Sequence, residues 1–141
     1  MNDLNNDYSQ FLKSFDINRI NLVKTDFEVT PNIIIPQEYK IDIKRSETEL
    51  NLVDNDANVL VGFEIIGLHE EKQIFIGHYI FQICFQINDM DIFLLHLNNE
   101  EIKSQFLHNQ IDKLVWSFLR QKVLQSVLDS GFQPIFLPLY S

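Results

Sequence analysis

Four histidines, one cysteine and two pairs of closely spaced aspartates are the side chains best suited to chemistry in this sequence, and their placement allows little of it. A helical zinc site needs two histidines four residues apart beside a glutamate, and His69, His78, His96 and His108 offer no such spacing. They read as structural or surface histidines. Cys84 stands inside the apolar run "IFQICFQI" with no basic neighbour, which suits a small buried hydrophobe better than a nucleophile. Asp54 and Asp56 fall in "DNDAN", a turn sequence in which aspartate bonds its local backbone, and Asp89 with Asp91 suggests another loop. The four glycines form neither a phosphate-cradling cluster nor a G-x-S-x-G elbow. No catalytic residue, metal ligand or cofactor site emerges, so the chain is not expected to be an enzyme.

Charge narrows the partners. Across 141 residues, 11 basic and 20 acidic side chains give a net charge of −9, which repels phosphate backbones and favours basic or neutral partners over nucleic acid. A single cysteine precludes an intramolecular disulfide and fits a reducing, cytoplasmic setting. The opening "MNDLNNDYSQFLKSF" has no basic n-region and no long apolar h-region, and later apolar runs are too short to span a bilayer. Neither export nor membrane insertion is expected.

The elements follow from periodicity. One domain is expected, with residues 1–14 flexible or peripheral. From Phe15 to Val29 the chain reads as a strand whose apolar phase changes between Ile20/Leu22 and Val23/Phe27, the mark of a bulge or bend. "TPNIIIPQE" sets Ile33, Ile34 and Ile35 between Pro31 and Pro36, which suits a crossover loop laid over the core. "YKIDIK" alternates as a half-solvated strand, and "VLVGFEIIGL" and "IFIGHYIFQICFQI" flank the hairpin turn "HEEKQ". Three or four antiparallel strands in series make a meander. A short helix in "NNEEIKSQFLHNQ", capped by Asn98 or Asn99, precedes a long one that Gly131 ends. Strands followed by helices give an α+β fold.

The long helix shows an apolar side that rotates. Ile111, Leu114, Val115 and Phe118 share one side, while Val123, Leu124, Val127 and Leu128 lie largely on another. One sheet cannot cover both sides of a straight rod, so the helix is expected to bend near Arg120 or to pack half its length on a second subunit. The closing "GFQPIFLPLYS" cannot be helical, because Pro134 and Pro138 interrupt it; its apolar residues must lie extended over another surface. Twelve Phe, four Tyr and one Trp stand out. Phe75, Tyr79, Phe81 and Phe85 share one strand face, a stripe that reads as core, with a groove for apolar segments of another protein as the alternative.

The order of these elements and several local strings resemble the SecB export chaperone family. "NRINLVKTDFEVTPN" is similar to its first-strand pattern, with Arg19, Ile20, Phe27, Glu28, Pro31 and Asn32 matching and one extra residue before the proline. "IDIKRSETEL" resembles its second strand, "QIFIGHYIFQICFQI" its fourth, and "GFQPIFLPL" its closing tail. The resemblance spans Phe15 to Tyr140. It implies a four-stranded antiparallel sheet with helices packed on one side, assembled as a homotetramer, a dimer of dimers. It also implies a chaperone without ATPase activity that holds unfolded polypeptides in apolar grooves.

Carried over residue by residue, the resemblance places client contacts at Trp116, Phe118, Phe132, Phe136 and Leu137, with Ile33, Ile34 and Ile35 as an outer wall. The partner-docking face for the SecA motor would include Lys24, Glu28, Ile76 and His78. Glu28 matches the family's acidic pattern there, but Lys24 and His78 stand where it has Asp and Glu, and the family's mobile C-terminal extension is not seen after Ser141. A charge exchange of that kind weakens electrostatic steering, which puts SecA docking in doubt and points to divergent members that guard a dedicated client such as an antitoxin. Two other classes compete. A small-molecule-binding or enzymatic α+β domain would need an apolar pocket in which Tyr79, His78 and Gln82 converge. An assembly adaptor would instead retain a folded partner at a sheet edge or flat face.

Overall fold

Alternation at a period of two in the two longest strands sets the architecture. A computed structural model describes residues 3–46, 48–135 and 137. The chain runs α1 (Asp3–Lys13), β1 (Phe15–Val29), β2 (Lys40–Arg45), β3 (Glu49–Val53), β4 (Asp56–His69) and β5 (Lys72–Ile87). It continues through α2 (Met90–Leu97), α3 (Glu100–Gln105), a π-turn (Phe106–Gln110) and α4 (Ile111–Asp129). Val59, Val61, Phe63 and Ile65 of β4 and Phe75, Tyr79, Phe81, Ile83 and Phe85 of β5 are buried, while the residues between them, Gly62 and Gly77 apart, stay half-exposed. Helices therefore cover one face of the sheet and leave the other open.

The strand order is β1-β5-β4-β2, all antiparallel, with β3 taking up the same edge beside β4. The meander expected from the sequence runs through β2/β3, β4 and β5. β1 instead lies at the opposite edge, paired with β5 from Phe15↔Ile87 to Val29↔Phe75, so the residues after it must cross the sheet to reach β2. Its register shifts between Ile17 and Arg19 and again between Leu22 and Lys24, where the apolar phase changes. The β4–β5 turn places both Glu70 and Glu71 at positive φ, 51° and 65°, the I′ geometry whose twist suits a hairpin.

Residues 1–14 are not peripheral throughout. α1 buries Phe11 completely, because one aromatic side chain on a polar helix outweighs its neighbours once a pocket exists for it. Asp89 and Asp91 do not sit in a simple loop either. The Asp89 carboxylate accepts from the Ile92 N–H and caps α2, whose sequence "MDIFLLHL" is apolar on nearly every side and so shows no helical period. Asn99 caps α3 in the same way, and Gly131, at φ 86°, follows the end of α4.

α4 continues as one helix through Arg120. Its buried apolar positions, Ile111, Val115, Leu119, Val123 and Val127, recur at every fourth residue, so the stripe precesses by roughly 40° per step around the rod. Every residue of that stripe is fully buried within one subunit. Phe118 and Leu128 lie off it, 43% and 48% exposed.

One glycine is fixed by close approach. A Cβ at Gly67 would land in the ring of Phe75, its partner across the β4–β5 register. Gly67→Ala should therefore cost about 1–3 kcal/mol through overpacking, read as a lower urea midpoint at unchanged slope.

Candidate functional site

The crossover and the tail meet at one end of the sheet, around three aromatic rings. Tyr39, just before β2, sets its ring edge-on to Phe75 at 5.7 Å and to Phe132 at 5.6 Å, and Phe75 and Phe132 lie 5.1 Å apart. The Tyr39 hydroxyl donates to the Gln133 carbonyl at 2.7 Å, tying the crossover to the tail. The tail then folds back along α4: the Phe132 N–H donates to Val127, and Arg120 Nε donates to the Leu137 carbonyl at 2.9 Å. Extended backbone is forced here by the proline, and its polar groups are satisfied by these bonds.

The proposed client contacts divide accordingly. Ile33 packs partly on the core, Ile34 is 93% exposed, and Ile35 reaches toward Gly131 where the tail begins. Phe132 and Leu137 are each 3% exposed, so both close the subunit's own core in this conformation. Trp116 and Phe118, two residues apart on a helix, point about 200° apart and share no face. Trp116 packs edge-on against Phe63 at 6.0 Å, and Phe118 faces outward. Phe136 lies outside the described residues.

A cleft of about 490 Å³ adjoins the crossover, lined by Tyr39, Leu68, His69, the carboxylates Glu38, Glu70 and Glu71 and one opposing cation, Lys40. His69 Nδ1 lies 2.9 Å from the Glu38 carbonyl, joining the crossover to the β4–β5 turn. This rim was legible only as scattered acidic residues, because the crossover and the turn that compose it are distant in sequence.

The open face of the sheet gathers the four residues proposed for partner docking. Glu28 pairs with Ile76, Asp26 with His78 and Lys24 with Ile80 across β1 and β5, so Lys24, Glu28, Ile76 and His78 all look outward. On β4 and β2 the same row continues through Glu64 and Lys44. His78 Nε2 lies 3.5 Å from Glu64 Oε2. A histidine between two carboxylates, with a lysine at the row's end, makes a mixed-charge face.

Tyr79 projects into the core, where its hydroxyl donates to Ser126 Oγ at 2.8 Å; burial pushes its phenol above the ordinary range, with the Ser126 bond opposing. His78 and Gln82 lie on the opposite sheet face from Tyr79, so the three do not converge. Among the described residues, no group of three or more His, Cys, Asp or Glu could hold a metal ion. No described helix is long and apolar enough to cross a membrane.

Comparison with solved structures places the architecture. The Mycobacterium tuberculosis Rv1957 SecB-like chaperone, in complex with a ChAD peptide from the Rv1956 HigA1 antitoxin, superposes with a TM-score of 0.75 over 99% of this chain and 100% of that one. This chain has the SecB-like fold. Sequence identity between the two is 12%, which explains why the likeness in sequence is confined to short strings and spacing. A protein of unknown function from Streptococcus agalactiae aligns with a TM-score of 0.49 at 7% identity, over 89% of this chain and 97% of that one. No family model matches the chain, and no curated protein does. Within the SecB-like fold, the crossover, the tail and α4 lie on one side and the row through His78 on the other.

Proposed function

We propose that the protein is an ATP-independent holdase that binds unfolded polypeptide on apolar surface beside the crossover and α4. Its dedicated client would be a polypeptide such as an antitoxin. The observation that carries the reading is the SecB-like fold over nearly the whole chain combined with large apolar side chains left in solvent, Ile34 above all. Broad apolar contact with few directed hydrogen bonds suits binding to many registers of an unfolded chain. The carboxylates at the neighbouring cleft add attraction for basic segments. A cytoplasmic homotetramer, a dimer of dimers, is the assembly this reading favours, because Leu128 on α4 remains available to another subunit. Lys24 and His78 on the open sheet face argue for a dedicated client over delivery to SecA.

Light scattering during size-exclusion chromatography tests the proposal. A tetramer that co-elutes with a reduced, unfolded polypeptide but not with its folded form supports it; a monomer that captures neither form sinks it. At residue level, Ile34→Asp and Phe118→Asp should each weaken capture by about tenfold, equivalent to ~1.4 kcal/mol. Both are exposed, so thermal unfolding should change little.

A further inference from the structure

α1 fills an aromatic cage that it does not itself build. Phe11 is fully buried, with the rings of Phe15, Phe93 and Phe106 around it at centroid distances of 5.3, 5.2 and 5.1 Å. Two of these contacts are edge-to-face and one is stacked, so the cage fits a phenyl ring by both its faces and its edge. Phe85 backs the cage, 5.1 Å from Phe15 and 5.6 Å from Phe106. The walls thus come from β1, β5, α2 and the π-turn; the filling comes from α1.

α1 is fully buried at Phe11 alone, and the residue that follows it is fixed. An 11-residue helix is marginal in water, so α1 persists through what it docks against. Leu4, Tyr8 and Leu12 are only partly buried, and a polar tie runs from Gln10 Oε1 to His96 Nε2 on α2 at 3.1 Å. Ser14, directly after α1, is 2% exposed, and its carbonyl accepts the backbone N–H groups of Asn88 and Asp89. Rotation about this fixed point would withdraw Phe11 and leave the sheet in place.

The cage has an entrance. A cleft of about 280 Å³ opens beside it, bounded by Leu12, Phe15, Ile17, Phe85, Phe106 and Leu114. It shares three rings with the cage and runs along the edge strand β1, where Ile17 is 43% exposed. An apolar segment seated in the cleft would reach the cage as soon as Phe11 left it.

We infer that α1 is an autoinhibitory strap whose Phe11 occupies a phenyl-binding cage, which accepts an aromatic side chain of the client when α1 swings out about Ser14. The inference rests on the chaperone reading above and adds what that reading lacks, a specific subsite and the chemistry it selects. A tethered occupant competes at high effective concentration, so apparent client affinity falls by the fraction of molecules that are open. Segments that offer an aromatic ring together with apolar flanks recover that loss; weakly apolar segments do not.

The test uses the full chain, as wild type and as the variants Phe11→Ala and Gln10→Ala. The probes are a soluble, unstructured peptide with one phenylalanine between apolar flanks and the same peptide with alanine in its place. Phe11→Ala should bind the phenylalanine peptide about tenfold more tightly than wild type, with the alanine peptide unchanged. The phenylalanine peptide should also raise the melting temperature of Phe11→Ala by refilling its cavity. Gln10→Ala, which leaves every ring in place, should tighten binding about threefold and decides the matter if Phe11→Ala fails to fold. Folded variants with wild-type affinity, in a protein that does capture unfolded chains, overturn the strap and leave the holdase reading standing. If no form binds either peptide or an unfolded chain, both fall.

Discussion

Phe75→Ala is expected to lower stability by about 3–5 kcal/mol, a large share of the roughly 5–15 kcal/mol that holds a domain folded. The ring is fully buried and touches three parts of the chain: Phe27 of β1 at 4.9 Å, Tyr39 of the crossover and Phe132 of the tail. Gly67 leaves the space it occupies. Truncation therefore removes more than one side chain's packing. It also frees Tyr39, whose bond to Gln133 fixes the crossover against the tail. Client capture should weaken along with stability, whereas Phe75→Leu, which keeps most of the volume, should cost well under half as much. Urea unfolding measures the first effect and co-elution with an unfolded chain the second. Normal capture by a folded Phe75→Ala protein would mean that the ring cluster does not organise the client surface.

Those contacts also mark where the sequence stops being informative. β4 and β5 were legible because one buried face imposes a strict period of two, and the bulge between Leu22 and Lys24 signalled itself as a change of apolar phase, whereas the one between Ile17 and Arg19 did not. The caps Asn99 and Gly131 were legible because each satisfies a local backbone need. The placement of β1 beside β5 was not, since strand order is decided by tertiary pairing that leaves no period in the chain. α2 was hidden by being apolar all round, and α1 by carrying its main contact on Phe11 alone. At the candidate site the crossover was readable as a loop, but of its three isoleucines only Ile33 packs on the core, while Ile34 and Ile35 are exposed. Whether Phe132 and Leu137 face a client or their own subunit was not, because both roles ask for the same apolar side chain.

The two outer surfaces are chemically distinct and lie on opposite sides of one sheet. The side with the crossover, the tail and α4 offers isolated large apolar groups, whereas the open face presents the row Asp26, His78, Glu64 and Lys44. A client held by apolar contact on the first side leaves the second free. Mixed charge there favours a partner matched to this row over one selected by net charge alone, which is the physical content of the departures at Lys24 and His78.

Asp112→Ala should cost about 2–3 kcal/mol, while the pair replacement Arg45→Met with Asp112→Leu should come close to wild type. Arg45, at the end of β2, donates from Nε to the Asp112 carboxylate at 2.7 Å and from Nη2 to the Leu107 carbonyl in the π-turn, also at 2.7 Å. The Asp112 side chain is only 7% exposed and that of Arg45 21%, so removing the carboxylate strands a partly buried cation. The cost falls below that of a fully buried pair because Arg45 keeps some water and its bond to Leu107. Removing both charges leaves nothing stranded and replaces two desolvated ions by packing. Burial raises the Asp112 carboxyl above the ordinary carboxylate range, against the bond and charge of Arg45 and the charge of His108. A carboxyl raised in this sense contributes stability that is complete below its unfolded pKa and is lost as pH rises through its native one. Across that acidic window, wild type should therefore lose stability relative to the double variant as pH increases. A wild type that gains stability over the same window would mean that Arg45 outweighs burial, and the double variant should then be the less stable protein at neutral pH.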